Sequence, residues 1–164
     1  MRFGVEHDFS ASCAQVADVL CDPAFQSRLD LPDLARPEVV QSSVDGTQRL
    51  LKLRYEYIGE LNAVARRIVG SRKLQWIQEL RLDTATYTGT LSFAAEEHED
   101  QLDGKADVTI VAVDPGSKRR IAGDLHVRIP LVGGSAERRI VPGLVRRLDV
   151  EAEELAKELD ARMK

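Results

Sequence analysis

The middle of the chain consists of short segments in which apolar and polar residues alternate, and this pattern constrains the fold more than any other feature. In residues 47–57, Leu51, Leu53, Tyr55 and Tyr57 occupy alternate positions, with mostly charged residues between them. A period of two is typical of a β-strand with one buried face. The same alternation recurs in residues 74–82, 87–95, 106–112 and 121–131. Because short turns separate most of these segments, they predict an antiparallel sheet.

The segment before this sheet predicts one strand and two short helices. Residues 2–9 alternate and form the predicted first strand. Helical spacing of apolar residues follows over residues 12–20, where Ser10 or Ser12 provides the N-cap. A second short helix is predicted for residues 23–29, because a proline stands at its first position.

Two further local elements are predicted between the first helices and the later strands. Residues 38–44 and 47–57 form a hairpin around the Asp45-Gly46 turn. Residues 61–69 have helical spacing and predict a short amphipathic helix.

A long amphipathic helix is predicted at the C-terminal end. Gly133-Gly134 interrupts the preceding strand, and Ser135 offers an N-cap. Pro142 predicts either a kink or a helix that begins there, because proline removes a backbone hydrogen bond. The apolar stripe of this helix consists of Val141, Leu144, Val145, Leu148, Ala152, Leu155 and Leu159.

Together these elements predict one α+β domain over residues 1–164. A sheet with one apolar face must be covered, and the last helix is the only predicted element long enough to do so. We therefore predict a curved antiparallel sheet of six to seven strands wrapped around this helix, with two short helices after the first strand. Covering a strongly curved sheet with one helix is expected to leave an apolar cavity between them.

This order of elements resembles the helix-grip plan of the START-like, or polyketide cyclase-like, superfamily, which also includes the Bet v 1-like proteins. The opening of the chain resembles theirs in Phe9-Ser10-Ala11-Ser12, Val16 and Asp22-Pro23-Ala24-Phe25. Residues 127–137, VRIPLVGGSAE, resemble the last-strand-to-helix junction of one family within it, found mainly in actinobacteria. The resemblance implies a cavity for a lipid, a steroid, a polyketide or another apolar molecule. It implies no common reaction.

Charge, termini and cysteines exclude several classes of protein. The formal net charge of −4 argues against a nucleic-acid partner. The charged first eight residues contain no signal-peptide core, and no apolar run reaches the ~18 residues of a membrane span. Cys13 and Cys21 lie about 12 Å apart along a helix, too far for a disulfide. Free thiols fit a reducing compartment, so we predict a cytoplasmic protein.

The sequence carries no motif that identifies a reaction, so we predict no catalytic residue, metal or cofactor. His7, His98 and His126 share no metal-ligand spacing with each other or with the cysteines. His7 lies on the apolar face of the first strand, where we expect a satisfied core histidine. Residues 96–100 are mostly acidic, but they lack the pattern of a calcium loop and are expected to form a solvated turn.

Strand and helix periodicity predicts which residues line the cavity. Gln78 interrupts an apolar row, and three tyrosines share its face, so their polar groups can orient a ligand or bond to one another. The arginines early in the last helix either bind an anionic head group or a partner, or form a solvated face. The predicted ligand-binding residues are Leu53, Tyr55, Tyr57, Trp76, Gln78, Leu80, Tyr87, Leu91, Phe93, Val108, Ile110, Leu125, Val127, Val141, Leu144 and Leu148.

Three functions remain open from the sequence. The leading one is binding of a hydrophobic small molecule in the cavity. The alternatives are an enzyme of the polyketide cyclase type, in which positioning and one or two polar groups catalyse the reaction, and a protein-interaction module. The binding hypothesis requires room for a ligand between sheet and helix. The sequence does not predict the oligomeric state.

Overall fold

A computed structural model describes residues 1–96, 101–129 and 133–164. Within these residues the chain forms seven strands and four helices. In chain order they are β1 (Arg2–Phe9), α1 (Cys13–Leu20), α2 (Pro23–Ser27), β2 (Glu38–Asp45), β3 (Gln48–Tyr57), α3 (Ala63–Val69), β4 (Leu74–Asp83), β5 (Thr88–Ala95), β6 (Leu102–Val113), β7 (Gly116–Val127) and α4 (Gly133–Arg162).

The seven strands form one antiparallel sheet in the order β1-β7-β6-β5-β4-β3-β2. Each strand from β2 to β6 pairs with the next strand in the chain, as is common for consecutive strands. The first strand is the exception, because α1 and α2 carry the chain from β1 to the far edge of the sheet. The predicted fold class is therefore confirmed.

The register of the strands brings the predicted inward residues together on one face. Leu53 faces Gln78 across the β3–β4 pair, and Gln78 faces Phe93 across the β4–β5 pair. Leu80 and Leu91 are likewise paired. A slip of one residue would turn a whole row outward, so these pairings fix which side chains meet α4.

The first two helices begin where the sequence provides caps. The Ser12 Oγ accepts the backbone N–H of Gln15, and the Gln15 Oε1 accepts the backbone N–H of Ser12. This reciprocal capping box starts α1. Asp22 caps α2, in which Pro23 holds the first position, although α2 ends at Ser27 and is shorter than predicted.

The long helix covers the concave face of the sheet. Its backbone approaches β1, β7 and α1 most closely, and it buries Val141, Leu148, Ala152, Leu155 and Leu159. Leu144 and Val145 of the predicted stripe are half-buried.

The start of this helix differs from the predictions. The last strand was predicted to continue to residue 131, but β7 ends at Val127, whose N–H donates to the Glu137 side chain. The helix begins at Gly133, so Ser135 lies inside it and is not its N-cap, and of the two alternatives for Pro142 a start at that residue is excluded. Pro142 lies inside the helix on its exposed side. Most of the acidic run (residues 97–100, including His98) and residues 130–132 lie outside the described residues.

Candidate functional site

The space between the sheet and α4 is almost filled by side chains. One cavity of about 10 Å³ lies there, which is enough for about one water molecule. It is lined by Leu20, Gln26, Leu51, Leu53, Gln78, Leu80, Leu91, Val108, Arg119, Ile121, Leu148 and Glu151. The expectation of a ligand-sized space in this position is therefore not met in this conformation.

Long side chains, and not backbone, fill the gap between α4 and the β3–β5 half of the sheet. Tyr55 stacks on Trp76 with ring centroids 5.6 Å apart, and Phe93 meets Phe3 edge-on at 6.4 Å. Because the helix backbone lies nearer to β1 and β7 than to this half of the sheet, rotation of these side chains would open space here.

The predicted ligand-binding residues lie on the concave side, but they differ in burial and in whether they border the cavity. Those that border the cavity are Leu53, Gln78, Leu80, Leu91, Val108 and Leu148. The core contains Tyr55, Phe93, Ile110, Leu125, Val127 and Val141. The half-buried residues are Tyr57, Trp76, Tyr87 and Leu144, and the Tyr57 hydroxyl donates to the Glu60 carbonyl at 3.1 Å. That these residues bind a ligand stays a prediction.

Arg147 points from α4 into this interior. Its residue surface is only 3% exposed. The Nη2 donates to the Gln78 Oε1 at 2.7 Å, and the guanidinium carbon lies 4.8 Å from the Tyr55 ring centroid and 5.9 Å from that of Phe93. The Nη1 is buried and has no hydrogen-bond partner. Arg147 thus has one amide acceptor, two aromatic contacts and an unused donor.

The Tyr55 hydroxyl lies beside this guanidinium. Burial raises the pKa of Tyr55 to about 12, although the nearby Arg147 charge opposes that rise. The phenol is therefore neutral near pH 7. The hydroxyl has no hydrogen-bond partner of ordinary geometry, so it is a second buried donor with unused capacity next to Gln78.

A second buried polar network lies between β1, β7 and α4. The Arg119 Nη1 donates to the Glu151 Oε1 at 2.5 Å, and its Nη2 donates to the His7 Nδ1 at 3.1 Å. Because an arginine only donates, His7 Nδ1 is the acceptor and the Nε2 proton is donated to Asp149 at 2.8 Å. Both ring nitrogens of His7 are therefore hydrogen-bonded, as predicted for a satisfied histidine, although the residue is half-buried and not in the core.

The two networks leave an excess of positive charge inside the fold. Arg119, Arg147 and Glu151 are all at most 3% exposed, and Glu151 pairs with Arg119. Among the described residues no carboxylate forms an ion pair with Arg147. Burying a charge without an ionic partner costs several kcal/mol, so this arrangement is unfavourable for a purely structural core.

Sequence reasoning considered Arg147 only as one of the arginines early in the last helix, which either bind an anionic group or a partner or form a solvated face, and it did not single out Arg119 or Glu151. Arg119 lies two residues before Ile121 and shares its face of β7. Arg147 and Glu151 follow Leu144 at intervals of three and four residues, which keeps them on the buried side of α4. Strand parity and helix spacing could therefore have found all three residues.

The described residues contain no group of three or more histidine, cysteine or acidic side chains arranged to hold a metal ion. Cys13 and Cys21 are free, as predicted. Among the helices in the described ranges, none is both long and apolar enough to cross a membrane. A second, more open pocket of about 110 Å³ lies away from the concave face, between α1 and the end of α4.

The architecture matches several solved structures over nearly their whole length. The protein TTHA0849 of Thermus thermophilus aligns with a TM-score of 0.69 and 14% identity, covering all of both chains. The ZhuI aromatase/cyclase of Streptomyces sp. R1128 aligns at 0.64 and 13% identity, over all of this chain and 94% of the other. Ara h 8.0201 aligns at 0.63 and 13% identity, over 98% of each chain.

At these identities the structural matches show the fold alone, which is the helix-grip fold. No curated protein sequence matches the chain. The family described as protein of unknown function (DUF2505) matches residues 4–159, nearly the whole sequence, and the protein therefore belongs to that family.

Proposed function

We propose that this protein binds a hydrophobic small molecule between the concave face of the sheet and α4. One observation carries the proposal: an apolar interior in which the Tyr55 hydroxyl and the Arg147 Nη1 are buried without partners. Ligand sites combine mostly apolar walls with a few polar groups that orient the ligand. Unpartnered polar groups are rare in ordinary cores. The helix-grip fold shared with an aromatase/cyclase supports the same interpretation.

Ligand entry requires the interior to open. Small-molecule pockets measure about 300–1,000 Å³, far more than the 10 Å³ of the cavity between sheet and helix. The long side chains of Arg147, Gln78 and Tyr55 occupy the half of the interior that α4 approaches least closely. Their displacement gives the ligand its space, and the free energy of opening lowers the apparent affinity.

Native mass spectrometry of protein purified from its own host tests this proposal, followed by extraction and identification of bound compounds. We expect an apolar compound at one per chain. Trp76, the only tryptophan, stacks on Tyr55, so re-addition of the extracted compound should change its fluorescence. A protein that arrives without a compound and whose Trp76 fluorescence does not respond to host lipid extract would contradict the proposal.

The enzyme alternative has less support from the same residues. Burial raises the pKa of Tyr55 to about 12, which makes the phenol a poor proton donor near pH 7. Both ring nitrogens of His7 are already hydrogen-bonded. A cyclase would therefore have to rely on positioning and on the Arg147 charge.

A further inference from the structure

We propose that the ligand is an apolar carboxylic acid, and that Arg147 and the Tyr55 hydroxyl bind its carboxylate between the sheet and α4. This inference rests on the proposed function and specifies the chemical class of the ligand. It follows from the chemistry of the unused groups, from the charge excess in the interior and from the composition of the surrounding walls.

The unused groups of Arg147 and Tyr55, which lie next to Gln78, are donors. Arg147 Nη1 carries N–H groups only, and the neutral Tyr55 phenol carries one O–H. Gln78 already offers its Oε1 to Arg147 Nη2. A ligand that satisfies both donors must present acceptors, and a carboxylate presents two oxygens without a competing proton.

The charge of the interior favours an anion over a neutral acceptor. The Arg119–Glu151 pair is neutral as a unit, so among the buried charges of the described residues only that of Arg147 has no ion-pair partner. Contacts with the Tyr55 and Phe93 rings offset part of its desolvation. A carboxylate would supply the missing counter-charge through a charge-assisted hydrogen bond.

The remaining surroundings require an apolar body on this acid. Gln78 and Leu53 face each other in the β3–β4 register, and both border the cavity together with Leu80, Leu91 and Leu148. A carboxylate held by Arg147 therefore lies next to a mostly leucine wall, in which the Arg119–Glu151 pair and Gln26 are the other polar groups. A long-chain fatty acid and an aromatic acid share this chemistry.

Isothermal titration calorimetry with matched acids and amides tests the inference. The probes are decanoic acid against decanamide and 2-naphthoic acid against 2-naphthamide, at neutral pH. For the pair that fits the interior, we expect the wild-type protein to bind the acid at least about tenfold more tightly than the amide, as for a charge-assisted hydrogen bond. Which pair binds distinguishes a fatty acid from an aromatic acid.

Three variants test whether the preference for the acid over the amide depends on the buried arginine. Arg147→Met removes the charge and keeps an unbranched side chain, and it should reduce the acid-to-amide ratio to near one. Arg146→Met removes the same charge from the neighbouring exposed position and should leave the ratio unchanged. A third variant, Arg147→Lys, keeps the charge but loses the planar guanidinium, and it should lower the ratio about threefold or more.

The outcomes separate the two proposals. Equal affinity of acid and amide for the wild-type protein would overturn the carboxylate inference and leave hydrophobic binding intact. A preference for the acid that persists in Arg147→Met would place recognition elsewhere and also overturn it. If that variant does not fold, a preference in a folded Arg147→Lys as large as that of the wild type would overturn it in the same way. If neither member of either pair binds at millimolar concentration, the carboxylate inference fails, and the proposed function is then decided by the compound extracted from the host.

Discussion

Two buried arginines in this protein have opposite surroundings. Arg119 donates to Glu151, His7 and the Leu148 carbonyl, so its charge is balanced and most of its donors are used. Arg147 has one amide acceptor and two aromatic rings. The same side chain is therefore paired with a carboxylate in the first position and has no carboxylate partner in the second.

Glu151→Gln should destabilise the protein strongly, because it leaves both Arg119 and Arg147 as buried cations without a carboxylate. Breaking one side of a buried ion pair costs about 3–5 kcal/mol, so the free energy of unfolding in urea should fall by that amount. Glu153→Gln alters an exposed glutamate two residues away and should stay within about 0.5 kcal/mol of wild type. Equal behaviour of the two variants would refute the assigned pairing.

Tyr55→Phe should not destabilise the ligand-free protein, because it removes a buried hydroxyl that has no partner. It should also change the pH dependence of stability. The pKa of Tyr55 is raised from 10.0 to about 12 in the folded protein. Because the unfolded protein loses this proton first, unfolding becomes easier as the pH rises from 10 towards 12.

A shift of that size corresponds to about 2–3 kcal/mol. Urea unfolding at a pH below 10 and at a pH approaching 12 should show a smaller loss in Tyr55→Phe than in wild type. Tyr87→Phe, at a half-buried position, serves as the control and should follow the wild-type curve. Parallel curves for Tyr55→Phe and wild type would show that the hydroxyl is not desolvated in solution.

Among the elements, α4 covers the concave face of the sheet, and it also contains a proline that interrupts its hydrogen bonds. It spans Gly133–Arg162 and contains Pro142 in its first half. The missing proline N–H leaves one helical carbonyl without its bond. This weak point precedes Arg147 by about one and a half turns, and it lies in the part of the helix that would have to move when the interior opens.

Pro142→Ala should stabilise the protein, because it restores a helical N–H on the exposed side of α4. Proline is about 3 kcal/mol less favourable than alanine in a helix interior, so a gain of about 1–3 kcal/mol in unfolding free energy is expected. Arg139→Ala, at an exposed position in the same helix, keeps the hydrogen-bond pattern and should change stability by less than about 0.5 kcal/mol. A loss of stability in Pro142→Ala would mean that the proline geometry itself is required.

Across the entire domain, one half of the sheet is tightly covered by α4 and the other half is separated from it by side chains. The backbone of α4 lies against β1 and β7. Towards β3–β5 it is separated from the sheet by Arg147, Gln78 and the Tyr55–Trp76 stack. Opening is therefore expected to separate α4 from β3–β5 and to leave the β1–β7 contacts in place.

Amide hydrogen exchange checks this asymmetry. In the ligand-free protein, exchange in the first half of α4 and in the β3–β5 strands should be faster than in β6 and β7, because opening exposes the former. Addition of the bound compound, or of the acid probe that binds, should slow exchange in the first group selectively. Uniform protection across the sheet would show that ligand binding does not use this opening.

Much of this fold could be predicted from the sequence alone, since local chemistry decides it. Alternation identified the strands of the sheet, and the capping residues located α1 and α2. The errors were at the last junction, where β7 ends at Val127 and α4 begins at Gly133. The Val127 N–H donates there to the Glu137 side chain, a contact that spans ten residues and has no periodic signature.

Periodicity along the chain was enough to establish which faces of the strands and of the last helix turn inward, because a period of two or of about 3.6 is a local property. The contents of the interior depended instead on tertiary contacts. The distance between α4 and the sheet determines the volume of the cavity, which is about 10 Å³. The meeting of α4 with β7 and β4 pairs Glu151 with Arg119 and leaves Gln78 as the acceptor of Arg147. These contacts join residues far apart in the chain, and they depend on distances in the folded molecule that no local pattern encodes.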